Sequence, residues 1–521
     1  MLPAFVAIVL ALVTRQALPS LLAGVVIGAG LLEQNLVSAF FVALGILADV
    51  LADADKTKIV LFTLLMGGMV GVLSASGGAA GLAGVLVKRA KTPRGARLTA
   101  SALGLLFFFD DYASSLMVGT TMRPVTDRLQ ISREKLAYIV DSTSAPVASL
   151  ALVSTWVGYE VSVMQDALTA SGIQRGAYEV FLSGIPARFY PWLSLCLVFL
   201  VAYTGRDFGP MARAEERAFE TGQVIRPGAS PLMDVDGAFL STDAKPRFWL
   251  GLVPIVVLMV TVLGVLASTG WSGASADPDA LRAAFEEGIT RGVGLVLGAA
   301  SSYDALLYGS GLAALVAVVA SATAGACPWS AGVSALMNGM KATLPAVVVL
   351  VLAWGVGHVM NGLQAGAFMA TILGDTLPSW SLPGLVFLLS AALAFATGTS
   401  WGTMAIVFPV MMPVIATRMA EPAFESVLVG STASVLAGAV FGDHCSPISD
   451  TTVLSSVACA SDHADHTRTQ APYAGLAAGV ALAACVAMGW GMPAWLGLGL
   501  GTAALATVFL RWSRRSGARS S

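Results

Sequence analysis

Four carboxylates in this chain stand where charge is least expected. Asp110 and Asp111 follow three phenylalanines in "FFFDDYASSLMVG", Asp141 opens "DSTSAPVAS", and Asp443 sits in "FGDHCSPISDTT" after the apolar run Val427–Val440. Carboxylate, hydroxyl and carbonyl oxygens are hard ligands, suited to alkali cations, Mg²⁺ or Ca²⁺ rather than to soft metals. Pro146 and Pro447 each remove a backbone donor and break a helix. The freed carbonyls then lie beside Ser142, Thr143, Ser446, Ser449, Asp450 and Thr451. An acidic pair often marks a solvated helix end, and Asp and Ser are ordinary N-caps. The apolar flanks favour burial instead, where a carboxylate is costly and calls for a neutralising proton or cation. His444 is either a proton-handling group, since its unperturbed pKa lies near neutrality, or a structural hydrogen bond. Cys445 reads as a small packing residue.

The elements that must hold these groups are read from composition. The 521 residues are 56% hydrophobic and 12% charged, with mean hydropathy +0.79. Soluble domains carry about one quarter charged residues, so a polytopic membrane protein with roughly ten to twelve helical elements is expected, all-α in class. Net charge is −2, and no basic field of the kind nucleic acid requires is present. The five cysteines are scattered without CxxC spacing and imply no disulfide framework. Leu2–Leu32 lacks a basic n-region and cleavage site, so it reads as retained membrane structure. Lys and Arg cluster in "KRAKTPRGAR", between Arg123 and Lys135, across 206–247, and in the tail "RWSRRSGAR", which places these in the cytoplasm. "SGASADPDALRAAFEEG" is acidic and falls outside. The chain thus divides into a membrane half at 1–205, a cytoplasmic linker at 206–247 and a second half at 248–521. Basic flanks at both ends of Arg97–Arg123 predict a re-entrant hairpin with Asp110 and Asp111 at its tip.

The halves resemble each other. "DDYASSLMVGTTMRPV" lies over "TSWGTMAIVFPVMMPV", with Pro124 on Pro413, and "DSTSAPVAS" lies over "GDHCSPISD", with Pro146 on Pro447. Repeats of inverted topology with interrupted helices point to the binding site of a secondary transporter. Lys341 reads as an interfacial snorkelling residue more readily than as a counter-charge to the aspartates. Glu160 and Asp375 stand at apparent helix boundaries. "SDHADHTRTQ" reads as a hydrophilic loop before a zinc site, and His358 as a polar helix end. No Walker motif, phosphate loop or GxSxG is seen, so an enzyme or ATPase is disfavoured and ion gradients are the expected energy source.

"FFDDYASSLMVGTTMRPVTD", "REKLAYIVDSTSAPVASLALVSTWVGYE" and "FGDHCSPISDTTVLSS" resemble the signature blocks of the NhaC family of sodium/proton antiporters, within the ion transporter superfamily. That resemblance implies two inverted repeats, each with a re-entrant hairpin and a broken helix. It also implies a transport domain moving on a scaffold in elevator fashion, a homodimer and an inner-membrane location. It groups Asp110, Asp111 and Ser114 with Asp141, Ser142 and Thr143, and Thr399, Ser400 and Thr403 with Asp443, Ser446 and Asp450. The expected partners are Na⁺, H⁺ and the lipid bilayer. Na⁺, at Asp110, Asp111, Asp141 and Asp443, is cargo and no cofactor is expected. The second hairpin lacks the carboxylate pair, which weakens any second cation site. The alternative is a Na⁺- or H⁺-coupled carrier of a small organic acid or amino acid, held near Tyr112, Ser115, Trp401 and Thr403 with Arg123 as carboxylate partner.

Overall fold

The computed structural model describes residues 2–14, 16–35, 38–231, 245–287, 292, 293, 295, 296, 299–364 and 377–515. Residues 232–244 of the expected linker, the last six of the tail and Asp375 lie outside these. The first half holds α1 (Leu2–Thr14), α2 (Ala17–Leu32), α3 (Ala39–Ala52), α4 (Ala54–Ala75), α5 (Gly78–Val87), α6 (Pro93–Leu106), α7 (Asp111–Arg128), α8 (Arg133–Ser142), α9 (Ala145–Leu150), α10 (Thr155–Ala170), α11 (Ala177–Gly184) and α12 (Phe189–Thr204). A two-residue strand β1 (Arg206–Asp207) and α13 (Gly209–Thr221) follow. The second half holds α14 (Phe248–Ala274), α15 (Pro278–Glu287), α16 (Ser302–Thr323), α17 (Trp329–Ala342), α18 (Leu344–Gly362), α19 (Leu382–Thr397), α20 (Ser400–Ala416), α21 (Phe424–Cys445), α22 (Asp450–Cys459), α23 (His463–Gly489), α24 (Ala494–Trp512) and β2 (Arg514–Arg515).

Among the described residues eight helices are long and apolar enough to cross a membrane, or ten if each of two bent pairs is one span. This lies at the low edge of the expected number because hairpin arms and the pieces of broken helices, such as α6 and α9, are individually too short. The helical class holds, apart from the minimal antiparallel pair of β1 with β2. That pair ties the start of the linker to the end of α24.

Local chemistry explains the interruptions. Thr92 caps α6 through the Gly95 amide at 3.0 Å, with Pro93 in the first turn. Asp110, Ser132, Ser154, Thr399 and Asp462 cap α7, α8, α10, α20 and α23 in the same way. The α6–α7 hairpin is followed by α8 and α9, broken at Thr143–Ser144 ahead of Pro146. The α19–α20 hairpin is followed by α21 and α22, broken at Ser446–Ser449 around Pro447. The packing interlocks the halves: α22 lies against α7 and α8, α23 against α8 and α12, and α10 against α20. The core around these pieces is unusually polar, with Ser, Thr, Asp and His side chains buried among the apolar ones.

Candidate functional site: a buried carboxylate cluster at two helix breaks

At the first hairpin tip, the Asp110 carboxylate accepts from the Ala113 amide at 2.7 Å, and the Thr155 amide donates to the Phe109 carbonyl at 3.0 Å. The hairpin tip is thereby pinned to the start of α10, where Thr155 and Trp156 stand beside Asp110 and Asp111. The Phe107 and Phe108 rings meet Phe109 edge-on and screen the tip. Asp110 is thus both a helix cap and buried, 5% exposed, with Asp111 at 4%. Ser114 Oγ, one turn along, is buried without a partner. Gly104 on α6 faces the first break, where a Cβ would stand 2.1 Å from Thr143 Oγ1.

Asp141 ends α8. Its carboxylate accepts from Gln470 Nε2 at 2.6 Å, Thr452 Oγ1 at 3.0 Å and Ser455 Oγ at 3.4 Å. The Nε2 atoms of His444 and His466 each stand 3.9 Å from Asp141 Oδ2. His444 is clamped between Ser142 Oγ at 3.0 Å and Tyr190 OH at 2.5 Å. Thr143 and Ser144 turn their hydroxyls onto the Ile139 and Asp141 carbonyls at 2.7 and 2.8 Å.

At the second break, Ser400 Oγ lies 2.8 Å from Asp443 Oδ2, while Asp443 Oδ1 is buried with no partner. Ser446 donates to the Phe395 carbonyl at 2.8 Å, and Thr403 to the Thr399 carbonyl at 3.0 Å. Gly398 holds φ +65°, and a Cβ there would stand 2.6 Å from the Ile448 carbonyl oxygen, so the second hairpin tip presses directly on the second break. Asp450 is exposed at the start of α22 and accepts from Tyr112 OH at 2.7 Å. Two cavities, of about 310 and 320 Å³, share Tyr112, Pro345, Ala346 and Asp450 in their walls. One reaches Thr399 and Trp401 and the other Asp110. Ser115 instead hydrogen-bonds Ser455, and Arg123 lines neither cavity.

The grouping anticipated for the second hairpin is met at Ser400 and Asp443. At the first break Asp141 draws its hydrogen bonds from α22 and α23 of the other half, because α22 packs between α7 and α8. Asp443 nevertheless links the set, lying within electrostatic reach of both Asp111 and Asp141, and Asp110 of Asp111. Among the described residues no three His, Cys, Asp or Glu side chains converge on one ion position. A bound cation would complete its shell from hydroxyls and carbonyls.

Sequence reasoning missed Thr452, Ser455, Gln470 and Tyr190. Gln470 was in view only as the end of "SDHADHTRTQ", where His463, His466 and Gln470 recur at helical spacing on one face of α23. Glu160 is no boundary residue: it is fully buried and paired with Arg188 at 3.0 Å. Lys341 and His358 are exposed.

A helical bundle of this length, with an apolar exterior and buried carboxylates at broken helices, is an integral membrane protein built like a transporter. The sequence matches the Na⁺/H⁺ antiporter family over residues 147–490, and the chain belongs to that family. A Haemophilus influenzae protein described as uncharacterized is 35% identical over 480 residues, 91% of this chain and 87% of that one. The malate-2H⁺/Na⁺-lactate antiporter of Bacillus subtilis is 33% identical over 139 residues, 26% of this chain and 28% of its own length. Neisseria gonorrhoeae MtrF, described within a class of antimetabolite efflux pumps, has the same overall fold at 14% identity and TM-score 0.50, covering 88% of this chain and 84% of its own.

Proposed function

We propose that this protein exchanges Na⁺ for H⁺ by competition at Asp110, Asp111, Asp141 and Asp443. The observation that carries the reading is the burial of four carboxylates, each 5% exposed or less and each within electrostatic reach of at least one other, with the Asp443 Oδ1 and Ser114 Oγ atoms lacking any protein partner. Uncompensated carboxylates are costly in a low-dielectric interior. A proton on the oxygen, or Na⁺ held by Asp443, Ser400 and freed carbonyls, removes that cost. Either occupant excludes the other. The occupied forms cross the membrane and the empty anionic form does not, which couples the two fluxes.

In this reading the α6–α7 and α19–α20 hairpins, with their broken helices, are inverted repeats that move together against the remaining helices. The halves at 1–205 and 248–521 meet at the site, joined by a cytoplasmic linker, in a homodimer of the inner membrane. A second reading, coupled carriage of an organic solute, is favoured by the two cavities flanking Tyr112 and Asp450 and by the name of the Bacillus relative. Neither cavity is lined by Lys, Arg or His, so an organic anion finds no counter-charge there. Na⁺/H⁺ exchange is the better supported.

The test is Na⁺-driven proton flux in proteoliposomes. Asp443→Asn and Asp111→Asn are expected to abolish it while folding is retained. Wild-type flux in both variants refutes the competition scheme, and a flux that requires an added organic acid transfers support to the second reading.

A further inference from the structure

We infer that a cavity of about 290 Å³ between α8, α13 and α23, on the linker face of the protein, binds a phosphate group, either free or carried by a lipid headgroup. None of the four buried aspartates lines it. Its walls hold Arg213 and Arg217 on α13, Arg226 just beyond that helix and Arg468 on α23, together with Glu134 of α8 and Asp465 of α23. Both carboxylates are already matched. Glu134 is buried and accepts from Arg217 Nη2 at 2.9 and 3.0 Å, and Asp465 accepts from Arg226 Nε at 2.9 Å. Arg213 and Arg468 have neither a hydrogen-bond nor an ion-pair partner among the described residues. Two guanidinium charges are left over around one concave space.

The other acidic groups around the cavity are engaged elsewhere. Glu216, one turn along α13 from Arg213, pairs with Arg514 at 3.0 Å, and Glu215 accepts from Ser132 Oγ at 2.6 Å. Asp127 pairs with Arg133 at 3.0 Å, and Asp462 accepts from the Ser230 and Asp465 amides at 2.9 and 3.1 Å. A cation is therefore repelled from this space and an anion is drawn to it. Pro210, Glu134 and Asp465, which also line the cavity, each belong to the first turn of their helix. Three helices thus bring their positive ends to the same place, which adds to the field of the arginines.

The donors select among anions. A guanidinium presents a planar fork of N–H groups that engages two oxygens at once, and the two unmatched forks stand on different helices. A tetrahedral phosphate has oxygens for both. Chloride offers a single point and a carboxylate a single edge. A phosphate held here joins the linker helix α13 to the outer ends of α8 and α23, the two helices that meet where Gln470 donates to Asp141.

The experiment follows thermal unfolding of the full-length protein in neutral detergent by tryptophan fluorescence. Potassium phosphate is compared with potassium chloride at equal ionic strength, so that screening is held constant. Micelles containing phosphatidylglycerol are compared with micelles containing phosphatidylcholine. A ligand that binds only the folded protein raises the melting temperature as its concentration rises. A shift with inorganic phosphate assigns a free phosphate, and a shift with phosphatidylglycerol alone assigns a headgroup. In either case Arg213→Gln and Arg468→Gln are each expected to raise the half-saturating concentration about tenfold, the loss of one charge-assisted contact, and the double variant to abolish the shift. Arg128→Gln, which removes an exposed charge outside the cavity, leaves the shift at its wild-type size. All three side chains are exposed, so their replacement leaves the folded core intact. No shift beyond the chloride and phosphatidylcholine controls overturns the inference. A shift that survives in the double variant, or falls equally in Arg128→Gln, overturns it as well.

Discussion

Breaking the buried Lys135–Asp207 ion pair is expected to destabilise the protein strongly. Lys135 lies on α8 and is fully buried; Asp207 on β1 is 1% exposed, and the two side chains are in direct contact. Tyr473 on α23 donates to Asp207 at 2.8 Å and accepts from the Phe208 amide at 3.1 Å. One residue pair therefore ties together α8, which carries Asp141 in its last turn, the start of the linker, and α23, which carries His466 and Gln470. Lys135→Met leaves a buried carboxylate without its cation, a change that costs about 3–5 kcal/mol. At about 1.4 kcal/mol per factor of ten, the folded-to-unfolded ratio falls roughly 10²- to 10³-fold or more. Lys135→Met combined with Asp207→Leu removes both charges. What remains is the Tyr473 hydroxyl, which loses its acceptor at a cost of about 1–3 kcal/mol. The double variant is therefore more stable than Lys135→Met, whereas adding Tyr473→Phe exchanges the orphaned hydroxyl for an orphaned Phe208 amide and brings no further gain. Denaturant-induced unfolding of the purified protein in detergent, followed by tryptophan fluorescence, measures the three steps. A Lys135→Met protein as stable as wild type, or a double variant no better than the single, refutes the reasoning.

Gly398→Ala combines a left-handed backbone with a Cβ 2.6 Å from the Ile448 carbonyl oxygen, costs of about 1–2 and 1–3 kcal/mol. It is expected to separate the second hairpin tip from the second break and lower Na⁺-driven flux, whereas Gly84→Ala, with open space around it, is silent in the same assay. Partial burial pushes the Asp462 carboxyl up, but the Ser230, Asp465 and Ala464 amides and the Arg226 charge more than offset this and hold it below its ordinary value. A depressed carboxylate contributes stability that is full above the unfolded pKa of about 4 and is lost as pH falls through the folded value. Hydrogen exchange of the linker amides near Ser230 is therefore expected to be constant from pH 7 to about 5 and to accelerate, after correction for intrinsic rates, only below about pH 4. Exchange that rises already between pH 7 and 5 contradicts the assignment.

The elements of the site were legible wherever their cause is local. Proline after a hydroxyl-rich run breaks a helix whatever surrounds it, and the breaks at Thr143–Ser144 and Ser446–Ser449 fall where Pro146 and Pro447 place them. Asp110 and Thr399 cap the following helix through the amide three residues on, an interaction complete within a few residues. The membrane class follows equally from composition, because an apolar exterior requires no partner to be recognised. Burial of Asp110, Asp111, Asp141 and Asp443 was foreseen from their flanks for the same reason.

Which groups meet across the site was decided only by packing. Asp141 takes its donors from Thr452 and Gln470, 311 and 329 residues away, because α22 and α23 wedge against α8. No periodicity or cap encodes that distance. The same holds for His444 between Ser142 and Tyr190, for Glu160 with Arg188, and for Lys135 with Asp207. "SDHADHTRTQ" shows the difference most clearly: as a string it is a polar stretch at a helix start. Only when α22 lays Ser456 between His463 and His466 does it become a chain of contacts ending at a carboxylate. Helix breaks and caps depend on neighbours along the chain, whereas the partners of a buried charge are whichever polar groups the folded bundle brings within hydrogen-bonding distance.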